Sequence, residues 1–223
     1  WLGLYGASET EIALANGAAF TLVQDTRYPW DGSISLTCKD VKENRPFTLQ
    51  VRVPGWVESG SIRLNGREQK LTAADADRYQ AVQIDNPAGD VVDLQFDMPV
   101  RLTAAHPLVE EAAGQAAVER GPLVYCIEST DAAVTTIDDL YLLSDAAYEP
   151  IPYQIAGREV IALKSEAAIL NRTGHDPRRL YQTLRADGFS TVPIRLIPYF
   201  AWDNRGFGEM RIWLPVIYRF NSH

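Results

Sequence analysis

Near its end the chain carries the run PYFAWDNRGFGEMRIWL, which occupies residues 198–214. Aromatic residues and glycines surround Arg205 in this run, and apolar and polar residues alternate over 209–218, which predicts a strand there. A guanidinium group carries five hydrogen-bond donors and can satisfy several carbonyl groups where loops cross. We therefore expect Arg205 to be a structural clamp at a loop crossing, with substrate recognition as the alternative.

The same two-residue alternation runs through nearly the whole chain, in short segments bounded by Gly, Pro, Asn and Asp. It predicts an all-β fold whose strands follow one another about every ten residues, as in a sandwich. The dipeptides Asn16-Gly17 and Asn65-Gly66 predict two-residue type I′ hairpin turns, because both residues of each can take positive φ. The first eight predicted strands lie near residues 10–14, 20–26, 33–39, 47–53, 61–64, 69–71, 79–84 and 91–98.

The alternation stops between residues 103 and 114 and begins again at Ala116, which predicts a domain boundary between residues 105 and 106. We expect two consecutive antiparallel β-sandwich domains of jelly-roll-like form, one over 1–105 and one over 106–223. The segments 129–150 and 165–189 are predicted to be irregular and to serve an interface. Strands of the second half are predicted at 116–120, 123–127, 159–163, 193–197 and 209–218.

Composition excludes some classes of partner. The 223 residues include 21 Lys and Arg against 29 Asp and Glu, which gives a net charge of −8. This charge argues against binding to nucleic acid or to anionic membranes. The apolar stretches are far shorter than the roughly 20 residues needed to cross a bilayer. We expect a soluble protein, and the sequence leaves open whether it is cytoplasmic or exported.

Cysteines and histidines are too few and too scattered for a local metal site. Cys38 and Cys126 lie in separate strand-like runs, and we expect buried reduced thiols, with a disulfide as the alternative. The sequence contains no Cys-x-x-Cys, His-x-His or His-x-x-x-His spacing. It therefore predicts no local zinc motif.

Four aromatic residues at predicted strand ends and in the 198–214 run are candidates for substrate binding: Tyr28, Trp30, Trp56 and Trp202. Flat rings stack on the apolar faces of sugar rings. The competing interpretation is that these rings pack against a neighbouring loop or domain, and it predicts that all three indoles are at least half buried. Asp31 is expected to be structural, as the side-chain acceptor of a type I turn.

The acidic residues supply no evident catalytic pair. Glu110 and Glu111 are adjacent, so on a strand their carboxylates would point to opposite faces and could not act on one substrate. A solvated surface is the better interpretation of this pair. Glu119 precedes an Arg-Gly-Pro turn, and we expect it to form a structural ion pair with Arg120 or Arg205.

Four motifs occur along the chain in a recognisable order: YPWDG at 28–32, VRVPGW at 51–56, ERGPLVYCIE at 119–128 and PYFAWDNRG at 198–206. Together they resemble the C-terminal part of the β-L-arabinofuranosidase-like glycoside hydrolases, family 127 and its close relatives. The resemblance implies an N-terminal (α/α)6 barrel with a zinc-bound cysteine nucleophile and a glutamate acid/base, followed by two β-sandwich domains. The family's Cys-Cys pair does not occur here, so no catalytic residue, metal ligand or cofactor is assigned to this chain.

We therefore expect a non-catalytic accessory region, inactive by itself, that supports the catalytic (α/α)6 barrel of a bacterial glycoside hydrolase and pairs protomers in a homodimer. A stand-alone carbohydrate-binding module is the alternative, and an enzyme with an unfamiliar active site is a third hypothesis. Neither nucleic acid nor a membrane is an expected partner. The first residues, 1–6, resemble a strand in progress, as in a piece cut from a longer protein.

Overall fold

A computed structural model describes residues 1–132, 134, 136–172, 176, 178–183 and 186–218. These residues form seventeen β-strands and five single-turn 3-10 helices, and none of them lies in an α-helix. The all-β prediction is confirmed.

The chain divides into two compact units, Trp1–Pro99 and Val100–His223, which we call unit 1 and unit 2. The division precedes strand β9 (Val100–Ala104), because β9 pairs with β10 (Gln115–Arg120). The end of the alternation predicts a boundary between residues 105 and 106, which would place β9 in the first domain. Alternation does not tell which sheet a strand joins, whereas pairing with β10 places β9 in unit 2.

Unit 1 contains a six-stranded antiparallel sheet in the order β1-β2-β3-β8-β5-β6 and a two-stranded antiparallel sheet of β4 and β7. Asn65 and Gly66 join β5 to β6, and their φ angles of 51° and 83° are both positive, as a type I′ turn requires. The strand bounds are β1 Ser8–Ala13, β2 Ala19–Thr26, β3 Ser33–Glu43, β4 Phe47–Val53, β5 Ser59–Leu64, β6 Arg67–Thr72, β7 Arg78–Ile84 and β8 Val91–Phe96.

The turn between β1 and β2 is not the predicted type I′ turn. Gly17 has a φ of 90°, but Asn16 does not have a positive φ. The Asn16 side chain instead accepts a hydrogen bond from Ala18 N at 3.0 Å and donates one to Pro46 O at 2.9 Å. Side-chain hydrogen bonding of this kind lets Asn hold a longer loop, which the Leu14 N to Ala18 O bond closes.

One apolar core fills unit 1, and both of its sheets contribute to it. The inward positions alternate along the strands, as the pleat of a sheet requires. The large sheet contributes Ile34, Leu36, Ile62, Leu71, Val92, Leu94 and Phe96, and the small sheet contributes Leu49, Val51, Val53, Val82 and Ile84.

Unit 2 contains a nine-stranded sheet in which β16-β11-β15-β14-β12-β17-β10-β9 follow one another, while β13 pairs with β14 and β10 also pairs with β11. The pair β12 and β17 is parallel, so the expectation of wholly antiparallel domains is wrong at that pair. The remaining bounds are β11 Leu123–Glu128, β12 Leu140–Leu143, β13 Glu149–Ile155, β14 Arg158–Arg172, β15 Ala186–Pro198, β16 Met210–Arg211 and β17 Leu214–Ile217.

The two segments predicted to be irregular contain much strand. Strand β12 and the start of β13 fall within 129–150, and β14 and β15 extend as a long hairpin into 165–189. Neighbours in the sequence of β14 are buried together, Ala162 with Leu163 and Ala167 with Ala168. A strand covered on both faces does not alternate regularly, and the prediction therefore reached only residues 159–163 of β14.

Candidate functional site

A cluster of charged side chains lies in unit 2 around Arg205, and we call Glu128, Asp131, Arg195 and Arg205 the Arg205 cluster. Glu128 is the last residue of β11, and Asp131 ends the 3-10 helix Ser129–Asp131 that follows. Arg205 donates from Nε to Glu128 Oε2 at 2.8 Å and from Nη1 to Asp131 Oδ1 at 2.7 Å. Its Nη2 contacts both carboxylates. One guanidinium thereby joins two acidic groups from consecutive elements.

The cluster is desolvated and its formal charges balance. The side chains of Arg205, Glu128 and Asp131 are 14%, 6% and 0% exposed. Arg195 supplies the second positive charge, with its Nε 3.4 Å from Asp131 Oδ1. Hydrogen bonds, first that to Asp131, hold the pKa of the Arg205 guanidinium above its ordinary value. Removing one partner would leave an uncompensated charge in a dry environment.

Tyr153, on β13, contributes an aromatic face to the same cluster. Its ring centroid lies 4.2 Å from the guanidinium carbon of Arg195 and 5.8 Å from that of Arg205. A ring face attracts a cation through its quadrupole, most strongly where water is excluded. Tyr153 therefore orients both arginines toward the carboxylates.

The Arg205 cluster fixes the backbone of residues 199–208, which we call the aromatic loop. Asp203 N donates to Glu128 Oε1 at 3.1 Å, and Asp203 has a positive φ of 61°. Beyond the loop, Ser129 N donates to Glu209 O at 3.0 Å. A Cβ added to Gly208 would lie 2.5 Å from Ser129 Oγ, so this glycine permits the close approach.

Aromatic side chains of the loop point to solvent although its backbone is fixed: Tyr199, Phe200, Trp202 and Phe207 are all exposed. The rings of Tyr199 and Trp202 are parallel to within 9°, with centroids 6.3 Å apart. Trp202 is 41% exposed, while Trp30 and Trp56 are less exposed still. The three indoles are thus at least half buried, and substrate binding by Trp202, the most exposed of them, stays a prediction.

The other predicted aromatic residues belong to unit 1. Tyr28 and Trp56 are stacked with centroids 6.4 Å apart, and both pack against the core of that unit. Trp56 also meets Phe96 edge-on at 6.0 Å. Trp30 N donates to Arg27 O at 2.8 Å in the turn before β3. The rings of Tyr28 and Trp56 thus make up part of the edge of that core.

Asp31 and Gly32 shape the turn that precedes β3. Asp31 Oδ1 accepts a hydrogen bond from Ser33 N at 3.1 Å. A Cβ added to Gly32 would lie 1.9 Å from Phe96 O, so the backbones of two strands meet closely here. The turn chemistry accounts for the Asp-Gly pair without a ligand.

The predicted pairing of Glu119 with Arg205 is wrong, because Arg205 lies against Glu128 and Asp131. Glu119 accepts a hydrogen bond from Thr103 Oγ1 at 2.8 Å and pairs with Arg101 Nη2 at 3.5 Å, across β9 and β10. Glu119 lies directly opposite Arg101 on the neighbouring strand, and this cross-strand position decides its ion-pair partner.

Arg120 and the acidic pair Glu110-Glu111 are structural or solvated. Arg120, at the end of β10, hydrogen-bonds to the hydroxyl of Tyr125, whose pKa burial raises to about 12. Glu110 and Glu111 are exposed and begin a 3-10 helix rather than a strand. Three residues of this site, Asp131, Arg195 and Tyr153, belong to no local sequence motif and were not predicted.

The cysteines do not fit the zinc-bound nucleophile that the resemblance implies. Cys38 lies in unit 1 and Cys126 in unit 2, and both thiols are free. Burial raises the pKa of Cys38 to about 11 and that of Cys126 to about 12, which disfavours the reactive thiolate. Across the described ranges, no three His, Cys, Asp or Glu residues are grouped so as to hold a metal ion. We therefore assign no chemical step to a metal in this chain.

Among the residues with described structure, no helix has the length and apolar character needed to span a membrane.

Both units match profiles of one protein family. Residues 1–98 match the profile described as beta-L-arabinofuranosidase, GH127 middle domain, and residues 100–215 match the glycoside hydrolase family 127 C-terminal domain. The chain is similar to a non-reducing end beta-L-arabinofuranosidase of Bifidobacterium longum subsp. longum, with 33% identity over 222 residues. That alignment covers 90% of this chain and 32% of the relative.

Solved structures agree with the sequence comparison. A protein named glycoside hydrolase is 38% identical, with a TM-score of 0.85, and the match covers 96% of this chain and 35% of that one. A GH127 beta-L-arabinofuranosidase from Geobacillus stearothermophilus is 33% identical, with a TM-score of 0.85, and the match covers 96% and 33% respectively. The chain thus spans about a third of the length of the relatives it matches.

Proposed function

The chain belongs to glycoside hydrolase family 127, and from this we propose that it is a non-catalytic accessory region that supports the catalytic (α/α)6 barrel of a β-L-arabinofuranosidase. The observation that carries the proposal is the extent of the match. Two profiles, for a middle and a C-terminal domain, cover residues 1–98 and 100–215, and the relatives extend well beyond the matched third. The hydrolytic chemistry would then belong to the remainder of the enzyme.

Uncovered apolar surface on unit 1 supports this role. Leu4 is almost fully exposed, and Tyr79, whose ring meets that of Trp1 edge-on at 4.8 Å, is 40% exposed. Exposed apolar patches commonly mark surfaces that another protein surface covers. We propose that the catalytic domain docks on this patch. Pairing of protomers in a homodimer would likewise bury exposed apolar surface.

The accessory role agrees with a sandwich architecture for each unit, which we also propose. In unit 1 the residues of both sheets share one core, as two facing sheets require. We interpret each unit as a jelly-roll-like sandwich, rigid enough to act as a buttress. Any zinc of the whole enzyme would belong to the catalytic domain, because the described residues of this chain contain no group of three His, Cys, Asp or Glu that could hold the ion.

Deletion and replacement in the Geobacillus stearothermophilus relative test the supporting role. Removing the region that corresponds to residues 1–223 should lower the Tm of the remaining enzyme by more than about 5 °C, since buried interface area is lost. Replacing that region by this chain should restore part of the loss. A deletion variant that keeps both its Tm and its activity would contradict the proposal.

A further inference from the structure

The aromatic loop presents rings to solvent from a base that hydrogen bonds and ion pairs hold in place. Glu128 and Asp131 hold the Arg205 side chain by hydrogen bonds, and Asp203 N donates a hydrogen bond to Glu128 Oε1. Such anchoring lowers the entropy that a loop loses when it binds a ligand. The exposed rings therefore sit on a preorganised support.

Tyr199 and Trp202 form the most regular part of this surface. They are separated by one turn of the 3-10 helix Tyr199–Ala201, and Trp202 N donates to Tyr199 O at 3.1 Å. Their ring planes differ by 9°. The backbone thus fixes two aromatic faces in one orientation.

The residues next to Trp202 are polar, unlike those around the apolar patch of unit 1. Asp203 and Asn204 are both exposed and offer oxygen acceptors. Asn204 Nδ2 donates to Ala201 O at 3.2 Å and to Trp202 O at 3.0 Å, which fixes that side chain beside the ring. Sugars combine apolar ring faces with hydroxyl donors at their edges, and this surface is complementary to both.

We propose that the Tyr199–Trp202 pair is a carbohydrate-binding surface whose ligand is a neutral oligosaccharide of arabinofuranose. A neutral ligand fits because Asp203 beside the rings and the net charge of −8 repel acidic sugars. The choice of arabinofuranose rests on family membership, not on the supporting role. In unit 1, Tyr28 and Trp56 pack on the core and are not part of this surface.

An NMR titration of the purified chain with a trisaccharide of L-arabinofuranose tests the proposal. The indole signal of Trp202, one of five tryptophans, should shift saturably. Trp202→Ala should weaken binding at least roughly tenfold, whereas Trp202→Tyr should retain it within about threefold. An oligosaccharide of galacturonic acid should bind more weakly than the neutral ligand.

Phe207→Ala is the matched control, because Phe207 is a fully exposed ring on the same loop. It should leave the affinity unchanged. Three results would each overturn the proposal. The first is that the Trp202 signal shows no saturable shift, and the second is that Trp202→Ala binds the sugar as tightly as the unchanged chain. The third is that Trp202→Ala loses self-association but not sugar binding. None of these results would alter the Tm test of the supporting role, so the two proposals fail separately.

Discussion

The Arg205 cluster depends on mutual compensation of buried charges. Asp131 receives hydrogen bonds from Arg205, and its Oδ1 also lies within ion-pair distance of Arg195. An isolated carboxylate at that depth would be costly, because burial removes its hydration. The cluster therefore behaves as one unit, in which each partner keeps the others stable.

Replacing Arg205 by Met should destabilise the chain by about 3–5 kcal/mol, because Glu128 and Asp131 would remain buried without their main partner. Arg63→Met is the control, since Arg63 and Glu68 form an exposed ion pair, and such pairs contribute little to stability. Urea denaturation measures both changes in unfolding free energy. Similar losses for the two variants would show that the cluster is not a clamp.

The partly buried thiol of Cys38 and the buried thiol of Cys126 should lower the free energy of unfolding at alkaline pH. The pKa values of Cys38 and Cys126 are raised from 9.0 to about 11 and about 12. An acid with a raised folded pKa stabilises the fold below its unfolded pKa and loses that contribution as pH rises toward the folded value. Unfolding free energy should therefore decrease from pH 9 upward.

Denaturation curves between pH 7.5 and 11 check this expectation. The decrease should be smaller in a Cys38→Ala, Cys126→Ala double variant, in which only other groups titrate. A double variant with the same pH dependence would assign the decrease to those other groups.

Local residue types predicted some of these features and not others. The crowding of aromatics and glycines around Arg205 identified it as an organising charge. Its partners Glu128 and Asp131 lie more than 70 positions away, and no local pattern connects them to it. Asp31 and Asn65-Gly66 were predictable because their hydrogen bonds and φ angles are set within a few residues.

Strand β17 is short but central, since it lies between β10 and β12 in the sheet of unit 2. Leu214, its first residue, is 1% exposed and belongs to the core of that unit. The strand therefore joins β10 to β12, both of which lie more than 70 positions before it in the sequence.

Leu214→Ala should cost about 2–5 kcal/mol of unfolding free energy, because it opens a cavity at this junction. Leu108→Ala, at an exposed position, should change it by less than about 0.5 kcal/mol. Chemical denaturation distinguishes the two. Equal effects would mean that β17 adds little to the sheet.

Strands of unit 1 were largely predictable because most of them have one polar and one buried face. The same signal found only residues 159–163 of β14, a strand in which consecutive residues are buried, and it missed β12, whose partner β17 lies some 70 positions later. Period-two alternation reports a half-buried strand, and sheet order is set by contacts that it does not encode.

At the level of the entire chain, each unit has its own core, and each matches its own family profile. The family was predictable from four short motifs, three of which lie at turns or loop ends. The supporting role stays a prediction, because it depends on surfaces that only a partner domain would cover. Hydrolysis demands a nucleophile and an acid, and neither cysteine here has the electropositive setting that activates a thiol.

An assay of the purified chain with p-nitrophenyl β-L-arabinofuranoside, together with elemental analysis for zinc, decides whether this region is accessory. We expect turnover indistinguishable from buffer and no stoichiometric zinc. Turnover well above buffer that Cys38→Ser or Cys126→Ser abolishes would contradict the account, as would one zinc ion per chain.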